Sequence, residues 1–210
     1  MKTSVCRLFT LLFSLVALIS CSDNADTKPT EGVHYKALPT NLTTYRLAPV
    51  TEVFSLTCGH CRTMEHVIPD LEKMTDEHFG KLHVTFNQGA QISAMLYYSA
   101  VMQLEAVPDS AMMEDLFAAI QAPEGMTPEA RKAAIDQTFH QRQLVSPYDF
   151  DEIQQTQLME MLTLAGEISQ KSQINAVPTF IVKGKYQVLT GGHKDANSIA
   201  NTIAYLLKQS

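Results

Sequence analysis

The sequence predicts an α/β fold whose strands are divided by a long, all-helical insertion. Three observations carry this reading. A short apolar strand, Glu52 to Leu56, runs into Cys58-Gly59-His60-Cys61, after which the spacing turns helical. Residues 90–173 show helical periodicity and no convincing strand. The chain then returns to two β-rich runs around Lys183-Gly184-Lys185, a hairpin signal, and closes on an amphipathic helix.

The chain begins with a segment that reads as an address. Residues 1–20 have the parts of a bacterial export signal, with Lys2 and Arg7 ahead of an apolar run, Leu8 to Ile19, that is too short to span a bilayer comfortably. Leu18-Ile19-Ser20-Cys21 has the form of a lipobox, in which cleavage leaves Cys21 lipid-modified as the new first residue. Ordinary cleavage nearby, giving a soluble secreted product, is the alternative. Residues 21–33 then form the lipidated N-terminus and a polar tether. The 11 residues from Ser22 to Gly32 would span roughly 20 Å as a random coil. This places the expected location in the periplasm, anchored by lipid to the inner or the outer membrane.

Charge and cysteine usage narrow the function. A formal charge of −6 with no basic cluster argues against nucleic acid as a partner. Of the four cysteines, Cys6 leaves with the signal and Cys21 is acylated, so Cys58 and Cys61 are the remaining thiols. A bridge between them would enclose two residues and constrain the unfolded chain little. Exported proteins held by structural disulfides have more cysteines, widely spaced. The pair therefore reads as chemical.

Within the folded part, Tyr35 to Leu38 reads as an edge strand and Val50 to Leu56 as a central one. Met64, Val67, Ile68, Leu71 and Met74 recur at helical spacing, with Pro69 expected to kink that helix and Gly80 to end it. Leu82 to Phe86 alternates as a second strand, which completes a first part, 34–89. In the insertion, 90–173, Ala94 to Leu104 is helical. Asp109 or Ser110 caps a second helix, Thr127-Pro128-Glu129 starts a third, and Ser146-Pro147-Tyr148-Asp149 has capping-box character ahead of a long helix. The last part, 174–210, holds the hairpin of Thr179–Val182 and Tyr186–Leu189, then a helix from Asp195 to Leu207. The ten methionines, among them Met95, Met102, Met113 and Met161, read as helical core packing and not as copper ligands.

Cys58-Gly59-His60-Cys61 at the end of a strand, Val177-Pro178 before a hairpin more than 100 residues later, and helices between them resemble the DsbA family of disulfide oxidoreductases. The resemblance covers Tyr35 to the C-terminus and implies a thioredoxin-like fold with a helical insertion. It also implies a single chain working as a monomer, without a cofactor beyond the Cys58–Cys61 disulfide and without a metal. Cys58 would be the solvent-facing thiol at a helix start, the one a substrate thiolate attacks in the disulfide form, where unpaired N–H groups stabilise a thiolate. Cys61 would be the second thiol, and His60 would stabilise the Cys58 thiolate. Pro178 matches the family's cis-proline, with the Val177 backbone presented to an extended substrate.

Glu52, Glu65 and Lys81 match three charged residues of the family on the buried side of the site. Glu52 stands out on its own, since an acid in an apolar strand needs a partner. Glu65 is equally readable as a solvated helix residue, and Lys81 is placed to pair with either acid. Gly59 departs from the family, which usually has proline before the histidine. Cys-Gly-His-Cys instead matches the dipeptide of eukaryotic disulfide isomerases.

The implied activity is donation of the Cys58–Cys61 disulfide to folding exported proteins with free thiols, with reoxidation by a DsbB-like, quinone-linked membrane protein. DsbA is the type example of a low-pKa thiol and an oxidising couple, so that direction comes from the resemblance. A reductase or isomerase on the same fold is the alternative. A metal-binding lipoprotein is a weaker one, because a structural zinc site needs four ligands.

Overall fold

The computed structural model describes residues 28–121 and 125–209. The export signal, the lipobox with Cys21 and most of the tether lie outside the described residues. A five-stranded sheet has the order β1-β5-β4-β2-β3, formed by β1 (Tyr35–Ala37), β2 (Val50–Phe54), β3 (Phe79–His83), β4 (Thr179–Val182) and β5 (Tyr186–Val188). β2 and β3 are parallel, with Glu52 opposite Lys81, while β2 is antiparallel to β4. Every residue of β2 is buried, as expected for a central strand covered on both faces.

Each face of the sheet has its own core. Val50, Phe180, Val182 and Val188 pack with Ile68 and Leu71 of α2 (Ile68–Thr75) and with Ile199, Ile203 and Leu206 of α7 (Ala196–Leu207). Val53, Leu82 and Ile181 join the larger core shared with α3 (Gln88–Leu104), α4 (Ser110–Ile120), α5 (Pro128–His140) and α6 (Glu152–Ser172). The fold class read from the sequence, thioredoxin-like with helices inserted between strands, is borne out.

Several local expectations are corrected. The helix after the cysteines is not merely kinked. α1 (Gly59–Glu65) stops and α2 restarts at Ile68, with Pro69 in its first turn, where its missing N–H costs nothing. Gly80 does not end the helix, because Asp76 does so in the left-handed region at φ 55°. Gly80 instead lies inside β3, where a Cβ would come within 2.8 Å of the Ala48 Cβ. The strand accordingly runs Phe79–His83 and not Leu82 to Phe86. The capping box sits at Asp151 and Gln154, and Ser146 caps only a 3-10 turn. Met113 is buried, Met102 and Met161 are partly buried, and Met95 is 41% exposed, outside the core.

Candidate functional site

β2 delivers the chain to a tight turn in which the Cys58 N–H donates to the Ser55 carbonyl at 3.0 Å. Cys58 is the N-cap of α1, and its Sγ accepts the Cys61 N–H at 3.2 Å. A sulfur in this position takes over the role of the side-chain oxygen that usually caps a helix, and it feels the partial positive charge of unpaired N–H groups. Both cysteines are free thiols; Cys58 is partly exposed and Cys61 is buried. Burial, followed by the hydrogen bond with Cys58, pushes the Cys61 thiol far above the usual thiol range, and the nearby Glu52 carboxyl adds to the rise. His60 lies between them on the exposed side of the first turn. Gly59 has an ordinary φ, and a Cβ built there would meet nothing within 4 Å.

The Val177–Pro178 peptide bond is cis, and the Cys58 Sγ lies 3.6 Å from the Val177 carbonyl oxygen. Thr190 Oγ1 donates to the Pro178 carbonyl at 2.8 Å, tying this loop to the turn after β5. The five residues Cys58, His60, Cys61, Val177 and Pro178 are thus brought to one place from opposite ends of the chain.

Behind them, Lys81 joins Glu52 and Glu65, reaching Glu65 at 2.5 Å and forming an ion pair with Glu52. The side chains of Lys81, Glu52 and Glu65 are 5%, 0% and 7% exposed. Glu65 is therefore buried and not a solvated helix residue, and Lys81 pairs with both acids. One ammonium cannot compensate two buried carboxylates. Burial, partly opposed by Lys81 and reinforced by Glu65, raises Glu52 to about 7, and Glu52 Oε1 has no hydrogen-bond partner.

This shift has a measurable sign. The unfolded chain releases the Glu52 proton near its ordinary value of 4.5, while the fold keeps it to about 7. The associated stability, of the order of 3 kcal/mol, is fully present below pH 4.5 and lost as the pH rises through 7. Burial lowers His83 to about 4, which gives a slope of opposite sign between pH 4 and 6.5. The difference between Glu52→Gln and wild type therefore isolates Glu52. Urea unfolding from pH 4.5 to 7.5 should show the variant gaining on wild type as the pH rises; parallel curves would assign the slope to another group.

Four further residues have contacts at the site that the sequence did not indicate. His83 and Gln121 hydrogen-bond the Leu56 backbone just ahead of Cys58. Arg62 of α1 forks onto Glu114 of α4 through Nε at 3.1 and 3.2 Å. The alternation of Leu82 to Phe86 sets His83 on the polar side with Thr85, so its burial at the end of β3 is a finding of the structure. Among the described residues no three of His, Cys, Asp and Glu come together in a way that could hold a metal ion. No described helix is long and apolar enough to cross a membrane.

A sequence model of a protein family described as Thioredoxin matches residues 47–203. The chain belongs to this thioredoxin family. No curated protein sequence matches it. Among solved structures, the oxidoreductase DsbA1 of N. meningitidis is 26% identical, with a TM-score of 0.62 over 85% of this chain and 92% of that one. A variant of Pseudomonas aeruginosa DsbA is 20% identical, with a TM-score of 0.66 over 86% and 97%. A Proteus mirabilis DsbA in complex with a non-covalently bound peptide is 16% identical, with a TM-score of 0.62 over 87% and 100%. The thioredoxin-family fold of this chain, helices included, is that of the DsbA structures, as the resemblance implied.

Proposed function

We propose that this protein is an exported thiol:disulfide oxidoreductase that donates the Cys58–Cys61 disulfide to folding proteins with free thiols. The observation that carries the reading is the asymmetry of the pair. Cys58 Sγ caps a helix, reaches solvent and faces the Val177 carbonyl, whereas Cys61 is buried beneath it. The similar DsbA folds support this reading, and one of them holds a bound peptide.

In the oxidised protein a substrate thiolate attacks Cys58 Sγ, forming a mixed disulfide and breaking the Cys58–Cys61 bond. The expelled Cys61 thiolate takes up a proton, as its buried position demands, and the Glu52–Lys81–Glu65 cluster is the nearby proton source. A second substrate thiolate then attacks the substrate sulfur of the mixed disulfide and releases Cys58. The substrate loses two electrons, and the enzyme gains them as a dithiol. A membrane oxidant of the quinone-linked kind removes them again. His60 stabilises the Cys58 thiolate from the exposed side, and the Val177 backbone pairs with an extended substrate. The lipobox at Cys21 supports a periplasmic, membrane-anchored location for a monomer working on exported chains.

The equilibrium of the Cys58–Cys61 couple with glutathione tests the direction of electron flow. A donor should be clearly more oxidising than thioredoxin, whose potential is about −270 mV, and the oxidised protein should form disulfides in a reduced, unfolded substrate. A value at or below that of thioredoxin would instead favour a reductase on the same fold.

A further inference from the structure

We propose that His83 and Gln121 form a clamp on the Leu56 peptide groups that positions the turn presenting Cys58. Leu56 is completely buried and lies at the second position of the Ser55–Cys58 turn, so its own N–H and C=O point away from the turn's closing hydrogen bond. The N–H donates to His83 Nε2 at 2.9 Å, and the carbonyl accepts from Gln121 Nε2 at 2.9 Å. His83 is the last residue of β3, and Gln121 is the first residue past α4. The turn is thus gripped from the sheet on one side and from the inserted helices on the other.

The roles of the imidazole nitrogens are determined by their partners. A backbone N–H can only donate and a carbonyl oxygen can only accept. Nε2 is therefore the bare acceptor towards Leu56, and Nδ1–H donates to the Val84 carbonyl at 2.7 Å. The ring is fully buried and edge-on to Phe54 at a centroid distance of 4.9 Å, with Ser93 Oγ also 3.3 Å from Nε2. Burial keeps it neutral in ordinary buffers. Inside the turn, Thr57 N–H donates to Ser55 Oγ at 3.2 Å and the two hydroxyls are 2.8 Å apart, which leaves Leu56 as the part of the turn without a local partner.

The consequence for Cys58 is geometric. Its Sγ accepts the Cys61 N–H at 3.2 Å and faces the Val177 carbonyl at 3.6 Å, contacts that weaken with a displacement of a few tenths of an ångström. His83 and Gln121 touch neither sulfur and act through the backbone, as positioning residues. The inference rests on Cys58 being the reactive thiol of the function proposed above, but its test needs no substrate protein.

The test is the pH dependence of Cys58 alkylation by iodoacetamide in the reduced protein, with Cys61 alkylation as the measure of general loosening. In His83→Phe and in Gln121→Met, the pH midpoint of the Cys58 reaction should move up by about half to one unit, the equivalent of one weakened hydrogen bond. Cys61 should stay protected. His83→Gln, which can offer an acceptor near the same point, should restore most of the wild-type midpoint. Wild-type midpoints in both His83→Phe and Gln121→Met would overturn the clamp. So would shifts that His83→Gln fails to reverse and that come with faster Cys61 labelling, since these report a loosened core. If His83→Phe does not fold, Gln121→Met alone decides by the same readout. The expected midpoint shifts in the variants, together with no disulfide donation to substrate by the wild-type protein, would overturn the proposed function and leave the clamp standing.

Discussion

Replacing Lys81 with methionine is expected to destabilise the fold by about 3–5 kcal/mol at pH 7. Methionine keeps most of the length and packing of the side chain, so the loss comes from the charge. Lys81 is 5% exposed and is the shared partner of Glu52 and Glu65, themselves 0% and 7% exposed. Without it, two carboxylates face each other away from water, and at least one must take up a proton or drag solvent inward. The pH dependence separates this from a packing defect. The variant should regain stability relative to wild type as the pH falls from 7 to 5, because protonation then neutralises the stranded acids. Urea unfolding at the two pH values measures this directly. A loss under about 1 kcal/mol at pH 7 would mean that the cluster is solvated.

The second large effect concerns the order of attack. Cys61→Ser should accumulate mixed disulfides between Cys58 and exported proteins, whereas Cys58→Ser should accumulate none and have no oxidase activity. A hydroxyl at position 61 cannot displace a bound substrate, and the only partly exposed sulfur of the pair is that of Cys58. Non-reducing electrophoresis of an exporting cell, followed by mass spectrometry of the slow-migrating species, reads the outcome. If Cys61→Ser captures nothing while Cys58→Ser captures partners, the assignment of the two thiols must be exchanged.

What the sequence made legible was largely local. Thr127 reads as a cap and Asp109 as one of two candidates because each lies ahead of a periodic apolar run, and each accepts the expected backbone N–H, whereas Asp195, read as the first residue of the last helix, is its cap. The hairpin around Gly184 followed from two β-rich runs and a glycine between them. Glu52 was recognisable as an acid in an apolar strand. Gly80 misled because glycine commonly stops a helix. Here the stop is Asp76 in the left-handed region, and glycine is required by the close approach of Ala48. A first-turn proline and an interior proline look alike in sequence, so a pattern that suggests a kink at Pro69 corresponds to a break between two helices. Arg62–Glu114 and Gln121–Leu56 join residues 52 and 65 positions apart. Such pairs depend on how the inserted helices settle against the sheet, which no local pattern encodes. The fate of Glu65 also required the fold, since only its distance from Lys81 separates a buried partner from a surface acid.

Gly59 occupies the first helical position with open space where a side chain would project, and the Cys58 backbone before it is extended, at φ −96° and ψ 114°. That conformation also suits a residue followed by proline, and proline suits a first helical turn. Nothing in the packing therefore demands glycine here. The outward dipeptide can drift through many identities without threatening the fold, whereas the inward groups, Glu52, Lys81 and His83, have almost no such latitude. Evolution can retune the chemistry at Cys58 through the two exposed residues Gly59 and His60 while folding is determined elsewhere.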